Sequence, residues 1–158
     1  MRLYFAGPLF TQAERTWNAA IAAMLAEAGH SVFLPQAETD QLDALEAEAI
    51  FRLDVDGVRS AEAVIAVLDG SDPDSGTSFE CGLAFALGIP ILAVRTDFRA
   101  GGEALPGQRI PSINLMLSQA VSAEVLLTSP KTSMVEVSQA ILEALDRLKP
   151  PLPSRPDR

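Results

Sequence analysis

The densest chemistry in this sequence lies in Asp69-Gly-Ser-Asp-Pro-Asp74-Ser-Gly-Thr-Ser-Phe-Glu80, which puts three aspartates in a polar loop and a glutamate just beyond it. The residues after the loop are small and apolar, and they predict a helix from Ser78 to Leu87 that stops at Gly88-Ile89-Pro90. Glu80 then falls in the first turn, where two roles compete. Thr77-x-x-Glu80 matches a capping box, in which the glutamate merely bonds backbone at the helix start. A carboxylate in the field of a helix N-terminus is also favoured in its ionised form, the form a nucleophile needs. Asp74 carries a similar ambiguity, since Asp-Pro-Asp-Ser-Gly is a ready turn sequence.

The elements that would carry this loop can be read from hydrophobic patterning. Ala63 to Leu68 is a continuous apolar run and the clearest buried strand; it leads directly into the acidic loop. Arg2 to Ala6 reads as a first strand stopped by Gly7-Pro8. Thr11-Gln-Ala-Glu14 is a capping box for a helix from about Gln12 to Ala28, whose apolar face holds Trp17, Ile21, Met24 and Leu25 before Gly29. Ser31 to Leu34 predicts a short strand closed by Pro35, and the alanine-rich stretch from Leu42 to Ser60 has helical composition. Ile91 to Val94 is a fourth strand and Val125 to Leu127 a fifth, with a last helix over Ser133 to Leu148. Strands alternating with helices predict an α/β fold, a doubly wound parallel five-stranded sheet with helices on both faces. One domain over 1–149 is expected, with 150–158 as a disordered tail. The connection 96–112, rich in Gly, Pro and charge, is long enough to suggest a functional loop.

In such sheets ligands bind beyond the carboxyl ends of the strands, which points to the loops after strands one and three. The first of these lacks both the G-x-G-x-x-G and the G-x-x-x-x-G-K-[ST] fingerprints, so dinucleotide and triphosphate binding find no support. Composition narrows the field further. The 158 residues carry a net charge of -9, which repels nucleic acid over most of the surface. Cys81 and His30 are the only residues of their kinds, so one chain builds neither a disulfide nor a Cys/His zinc cluster, and a reducing cytoplasm suits this usage. The apolar N-terminal run is too short for a signal peptide or a membrane span. Trp17 and Cys81 are assigned to packing, and His30 to the surface. By residue type alone Phe51 and Met116 read as core, Tyr4 as an ordinary strand aromatic and Asp54 as a solvated helix acid.

Taken together, Tyr4-Phe5-Ala6-Gly7-Pro8-Leu9-Phe10, Phe51-Arg-Leu-Asp54, Leu68-Asp69-Gly70, Asp74-Ser-Gly-Thr-Ser-Phe-Glu80-Cys-Gly82 and Asn114-Leu115-Met116 make the chain similar to the nucleoside 2-deoxyribosyltransferase family over nearly its whole length. The resemblance implies a flavodoxin-like subunit in a homo-oligomer, built from dimers as a tetramer or hexamer. It implies no metal and no organic cofactor, and transfer of a 2-deoxyribosyl group between purine or pyrimidine bases in nucleoside salvage or catabolism. Its partners would be 2'-deoxyribonucleosides and free nucleobases, with no nucleic acid and no membrane. Under that resemblance Glu80 is the nucleophile and Tyr4 holds its carboxylate by a hydrogen bond. Asp74 binds a sugar hydroxyl, and Asp54 lies beside the base and assists its protonation. Gly7, Phe10, Gln36, Gly76 and Met116 join these as substrate-binding residues, and Asn114 reaches the sugar in a neighbouring subunit's site.

The chemistry implied is double displacement at the anomeric carbon through an oxocarbenium-like transition state and a covalent glycosyl ester. Two other readings stay open. An N-glycosidase acting on nucleoside 5'-monophosphates would need a phosphate cradle, and Gly-Pro-Leu-Phe-Thr after strand one supplies no cationic side chain. The other is a non-enzymatic receiver-like or ligand-binding module, since fold alone does not fix function; a receiver needs an acidic pair at the end of strand one, where Ala6-Gly7-Pro8 has none.

Overall fold

The computed structural model describes residues 1–42, 46–97, 113–127, 129 and 131–148. Five strands form one all-parallel sheet: β1 (Arg2–Ala6), β2 (Ser31–Phe33), β3 (Ala63–Val67), β4 (Ile91–Arg95) and β5 (Ala123–Leu126). Their order, β2-β1-β3-β4-β5, is the flavodoxin-like one, and it puts the topological switch between β1 and β3. Six helices connect or follow the strands: α1 (Gln12–Glu27), α2 (Pro35–Thr39), α3 (Ala47–Ser60), α4 (Ser75–Ala86), α5 (Leu115–Ala120) and α6 (Met134–Leu145).

Side-chain alternation along the strands divides the interior into two layers. Leu3, Phe5, Ile65, Val67, Leu92 and Val94 face α1 and α6, where Ile21, Leu25, Ile141 and Leu145 close over them. Tyr4, Ala6, Val64, Ala66, Ile91 and Ala93 face the other way, towards Val58 of α3, Cys81 and Ala84 of α4 and Leu117 of α5. The second layer has alanines where the first has Phe5, Ile65 and Leu92. This shallow floor suits a helix whose buried positions are Thr77, Cys81 and Ala84, and it brings α4 close to the sheet. Helices therefore cover both faces, as the sequence implies.

Several local expectations change. Strand β2 ends at Phe33, before Pro35 as expected, but Pro35 also opens α2, because proline suits the first helical turn, where an N–H has no partner. The short helix α5 directly follows Asn114, whose side chain caps it by accepting from the Met116 N–H at 2.9 Å. Helix α4 begins at Ser75, three residues earlier than its composition suggests. The expected tail, 150–158, lies outside the described residues, as does most of the 96–112 connection. Among the described residues no helix is long and apolar enough to cross a membrane.

Candidate active site

The early start of α4 takes Glu80 out of the capping position. Asp74 is the N-cap: its Oδ2 accepts from the Thr77 backbone N–H at 2.8 Å and from the Thr77 hydroxyl at 3.1 Å. The capping box expected at Thr77 and Glu80 is therefore not formed. Glu80 sits in the second turn, and its carboxylate is free of the backbone. It meets β1 instead, where the Tyr4 hydroxyl donates to Glu80 Oε1 at 2.6 Å.

The loop between β3 and α4 is tied to the start of the β4–α5 connection. Asp69 accepts from the backbone N–H of Thr96 at 2.6 Å and of Asp97 at 2.9 Å, and Asp97 in turn accepts from the Gly70 N–H at 3.0 Å. Buried Arg95 donates to the Leu68 carbonyl at 2.8 Å. Gly70 takes a φ of 104°, in the left-handed region that favours glycine, at the bend where the chain leaves the sheet. The acids of this loop thus have separate roles. Asp69 and Asp97 build the loop, while Asp74 starts the helix that carries Glu80.

Asp54 approaches from α3. It and Glu80 line one cavity of about 140 Å³ with Phe51, Val55, Val58, Gly76, Phe79 and Leu83. Asp54 Oδ1 is buried and accepts no hydrogen bond, and burial raises the proton affinity of this carboxyl above the ordinary aspartate range. Glu80 is displaced further, to a pKa of about 7. Its burial is the main cause; the Tyr4 hydrogen bond opposes the rise, and the negative charges of Asp54 and Asp74 add to it. Burial first, and then the neighbouring Glu80 carboxylate, push the Tyr4 hydroxyl far above its usual range, so it remains a donor. The site is a pair of carboxyls in a partly apolar cleft, each with raised proton affinity and one fixed by a phenol.

The remaining sequence candidates distribute as follows. Gly7 leaves β1 beneath Val67, whose Cβ would lie 3.3 Å from a Cβ placed at residue 7. Phe10 is 77 % exposed at the mouth of the β1–α1 loop. Gln36 is buried, donates to the Arg15 carbonyl at 2.8 Å and accepts weakly from Asn18 at 3.4 Å. Asn114 and Met116 line a second, larger groove of about 440 Å³ with Asp72, Pro73, Ser78, Gly82 and Phe85. Helix α4 stands between the two: Ser78, Gly82 and Phe85 face the larger groove, and Gly76, Phe79, Glu80 and Leu83 face the smaller. Phe51 and Met116, read as core from their types, are 55 % and 79 % exposed. Asp54 is half-buried rather than solvated. Trp17 and Cys81 do pack into the interior. Among the described residues no group of three His, Cys, Asp or Glu side chains is placed to hold a metal ion.

Three residues that sequence reasoning passed over help to shape the site. Buried Asn18 donates to the Pro8 carbonyl at 2.9 Å and so fixes the first loop. Phe33 stacks on Tyr4, and Gly57 lets α3 come against both rings. Gly57 had a visible signal, since an interior helical glycine is unfavourable unless a close approach requires it.

A carboxylate pair on the carboxyl side of the sheet, at the switch between β1 and β3, marks a flavodoxin-like domain with a cleft suited to covalent or acid–base chemistry. The chain belongs to the nucleoside 2-deoxyribosyltransferase family, whose sequence pattern matches residues 3–121. Its fold is similar to that of a conserved protein from Enterococcus faecalis V583, with 25 % identity over 91 % of this chain and 98 % of the other, at a TM-score of 0.69. It is also similar to the 2-deoxyribosyltransferase of Bacillus psychrosaccharolyticus, with 22 % identity, 87 % and 90 % coverage and a TM-score of 0.64. The CMP N-glycosidase of Clostridium botulinum shares the fold at 18 % identity, 93 % and 99 % coverage and a TM-score of 0.58. No curated protein matches the sequence.

Proposed function

We propose that this chain transfers a 2-deoxyribosyl group between purine or pyrimidine bases, with Glu80 as the covalent nucleophile. The observation that carries the reading is the Glu80 carboxylate: it is free of its helix cap, bonded to Tyr4 at 2.6 Å and shares a cleft with Asp54. In the first half-reaction a Glu80 oxygen attacks C1' of the nucleoside. The C1'–N bond breaks, its electron pair leaves with the base, and the Asp54 carboxyl gives the base a proton. In the second, a nitrogen of the incoming base attacks C1', the glycosyl ester breaks, Glu80 regains its charge and the proton returns to Asp54. Tyr4 donates to Oε1 and leaves Oε2 to attack, while Asp74 offers its carboxylate to a sugar hydroxyl.

Gln36, Gly7, Phe10 and Gly76 complete the substrate contacts in this reading. The larger groove supports an assembly: Phe85 and Met116 are 60 % and 79 % exposed beside it, an apolar surface of the sort buried between subunits. Asn114 lies in that groove, apart from the Glu80 cleft, and in a homo-oligomer it would serve the neighbouring subunit's site.

A second reading rests on the fold shared with the CMP N-glycosidase: hydrolysis of a nucleoside 5'-monophosphate by the same nucleophile. The first loop has no cation, and Arg15 nearby is already paired with Asp40 at 2.8 Å, so the free 5'-hydroxyl substrate is favoured. Mixing 2'-deoxyinosine with cytosine or adenine should yield a new deoxynucleoside, and a 2-deoxy-2-fluoro-arabinosyl nucleoside should leave its sugar on the Glu80 peptide. Sugar release at one rate with or without acceptor, and faster from the 5'-monophosphate, would establish the hydrolase instead.

A further inference from the structure

The hydroxyl of Tyr4 can hold Glu80 only if its ring cannot turn or slide, and the structure shows what holds the ring. Tyr4 is fully buried, and Phe33, at the end of β2, stacks on it with centroids 5.2 Å apart and planes 16° from parallel. Gly57 of α3 closes the edge of this pair. A Cβ placed there would lie 2.8 Å from two atoms of the Phe33 ring and 2.9 Å from Tyr4 Cε2, distances at which something must shift. Residue 57 is also one helical turn beyond Asp54, on the same side of α3. The contact that pins the Tyr4 ring is therefore also the contact that sets how deeply α3, and Asp54 with it, enters the cleft.

We propose that Phe33 and Gly57 are positioning residues for the reaction: together they clamp the Tyr4 ring so that its hydroxyl meets Glu80, and Gly57 sets the approach of Asp54 to the nucleophile. The proposal rests on the reading of Glu80 as nucleophile. It differs from ordinary packing in one respect: the effect of Phe33 on the reaction must pass through the Tyr4 hydroxyl, whereas Gly57 acts through Asp54 as well. Loosening the ring weakens a hydrogen bond to the ionised carboxylate, which slows the attack and shifts the protonation of Glu80, whereas loss of packing alone lowers stability and leaves the pH profile where it was.

The test is a double-mutant cycle with Phe33→Leu, which removes the flat ring but keeps an apolar side chain, and Tyr4→Phe, which removes the hydroxyl. Phe33→Leu should lower kcat by about tenfold with little change in KM and move the acid limb of the profile to higher pH. In the Tyr4→Phe background the same change should have almost no further effect on kcat. Gly57→Ala, where it folds, should lower kcat in the same direction. Equal losses from Phe33→Leu with and without the Tyr4 hydroxyl, or an acid limb that stays in place, would overturn the clamp. Full turnover in Glu80→Gln would instead overturn the nucleophile reading, and the clamp with it, so the two failures are told apart.

Discussion

Replacing Glu80 by glutamine should make the protein more stable and nearly inactive, and the gain in stability should depend on pH in a way fixed by the structure. In the folded chain burial lifts the Glu80 pKa from 4.5 to about 7, despite the opposing hydrogen bond from Tyr4. Below about pH 4.5 both folded and unfolded chains hold the proton, and the carboxyl does not count against folding. Between about 4.5 and 7 the unfolded chain releases its proton first, so stability falls as pH rises. Above about 7 the folded chain carries a buried charge, and the full difference, up to about 3 kcal/mol, weighs against folding. Glutamine has no charge to bury and keeps an oxygen for the Tyr4 hydroxyl. Urea unfolding of the two proteins at pH 4.5 and pH 8 should show near-equal stability at the lower pH and a more stable variant at the higher, by about 2 to 3 kcal/mol. The same variant should lose several orders of magnitude in turnover, because an amide cannot form the glycosyl ester. A stability difference that does not change between the two pH values would refute the idea that the site holds Glu80 at the expense of the fold. A less stable variant at pH 8 would refute it as well.

Three further outcomes follow from the same geometry. Tyr4→Phe removes the interaction that lowers the Glu80 pKa, so the acid limb of kcat/KM should move to higher pH and the rate at pH 6 should fall by about tenfold or more. Asp54→Asn removes a negative charge that raises the Glu80 pKa, so the acid limb should move to lower pH, while loss of the proton donor costs about 10²- to 10⁴-fold in kcat; a limb moving the other way would count against the two carboxyls being coupled. Asn114→Ala and Glu80→Ala proteins, each inactive, should regain part of their activity when mixed and allowed to exchange subunits, and no recovery despite proven exchange would return Asn114 to its own chain's site.

The alternation of strands with helices and the two-faced layering were legible because they rest on long apolar runs, of which Ala63 to Leu68 suits a strand buried on both sides; the flavodoxin-like topology came only with the family resemblance. Boundaries were less legible. Asp74 and Thr77 are both good N-caps, and the sequence offers no means of choosing between them. The structure chooses Asp74, and that difference of three residues moves Glu80 from the first turn to the second, away from the backbone and towards Tyr4. Phe51 and Met116 were misread for a related reason. Residue type predicts burial only when the partner surface is known, and each of these side chains borders a cleft or groove instead of the interior.

Contacts between distant positions were the least legible. Nothing local in Phe33 or Gly57 shows that they converge on Tyr4, because the convergence depends on the β1–β2 register, which sets Tyr4 opposite Phe33, and on α3 lying across both. The alanines at 6, 66 and 93 belong to the same arrangement. Each is ordinary in its own strand, yet side by side they lower the floor beneath α4. With larger residues there, α4 would ride higher and Glu80 would lose its reach to Tyr4. The placing of that carboxylate thus rests on three alanines, one glycine and a stack of two rings as well as on the acids around it, and its environment is a property of the layer.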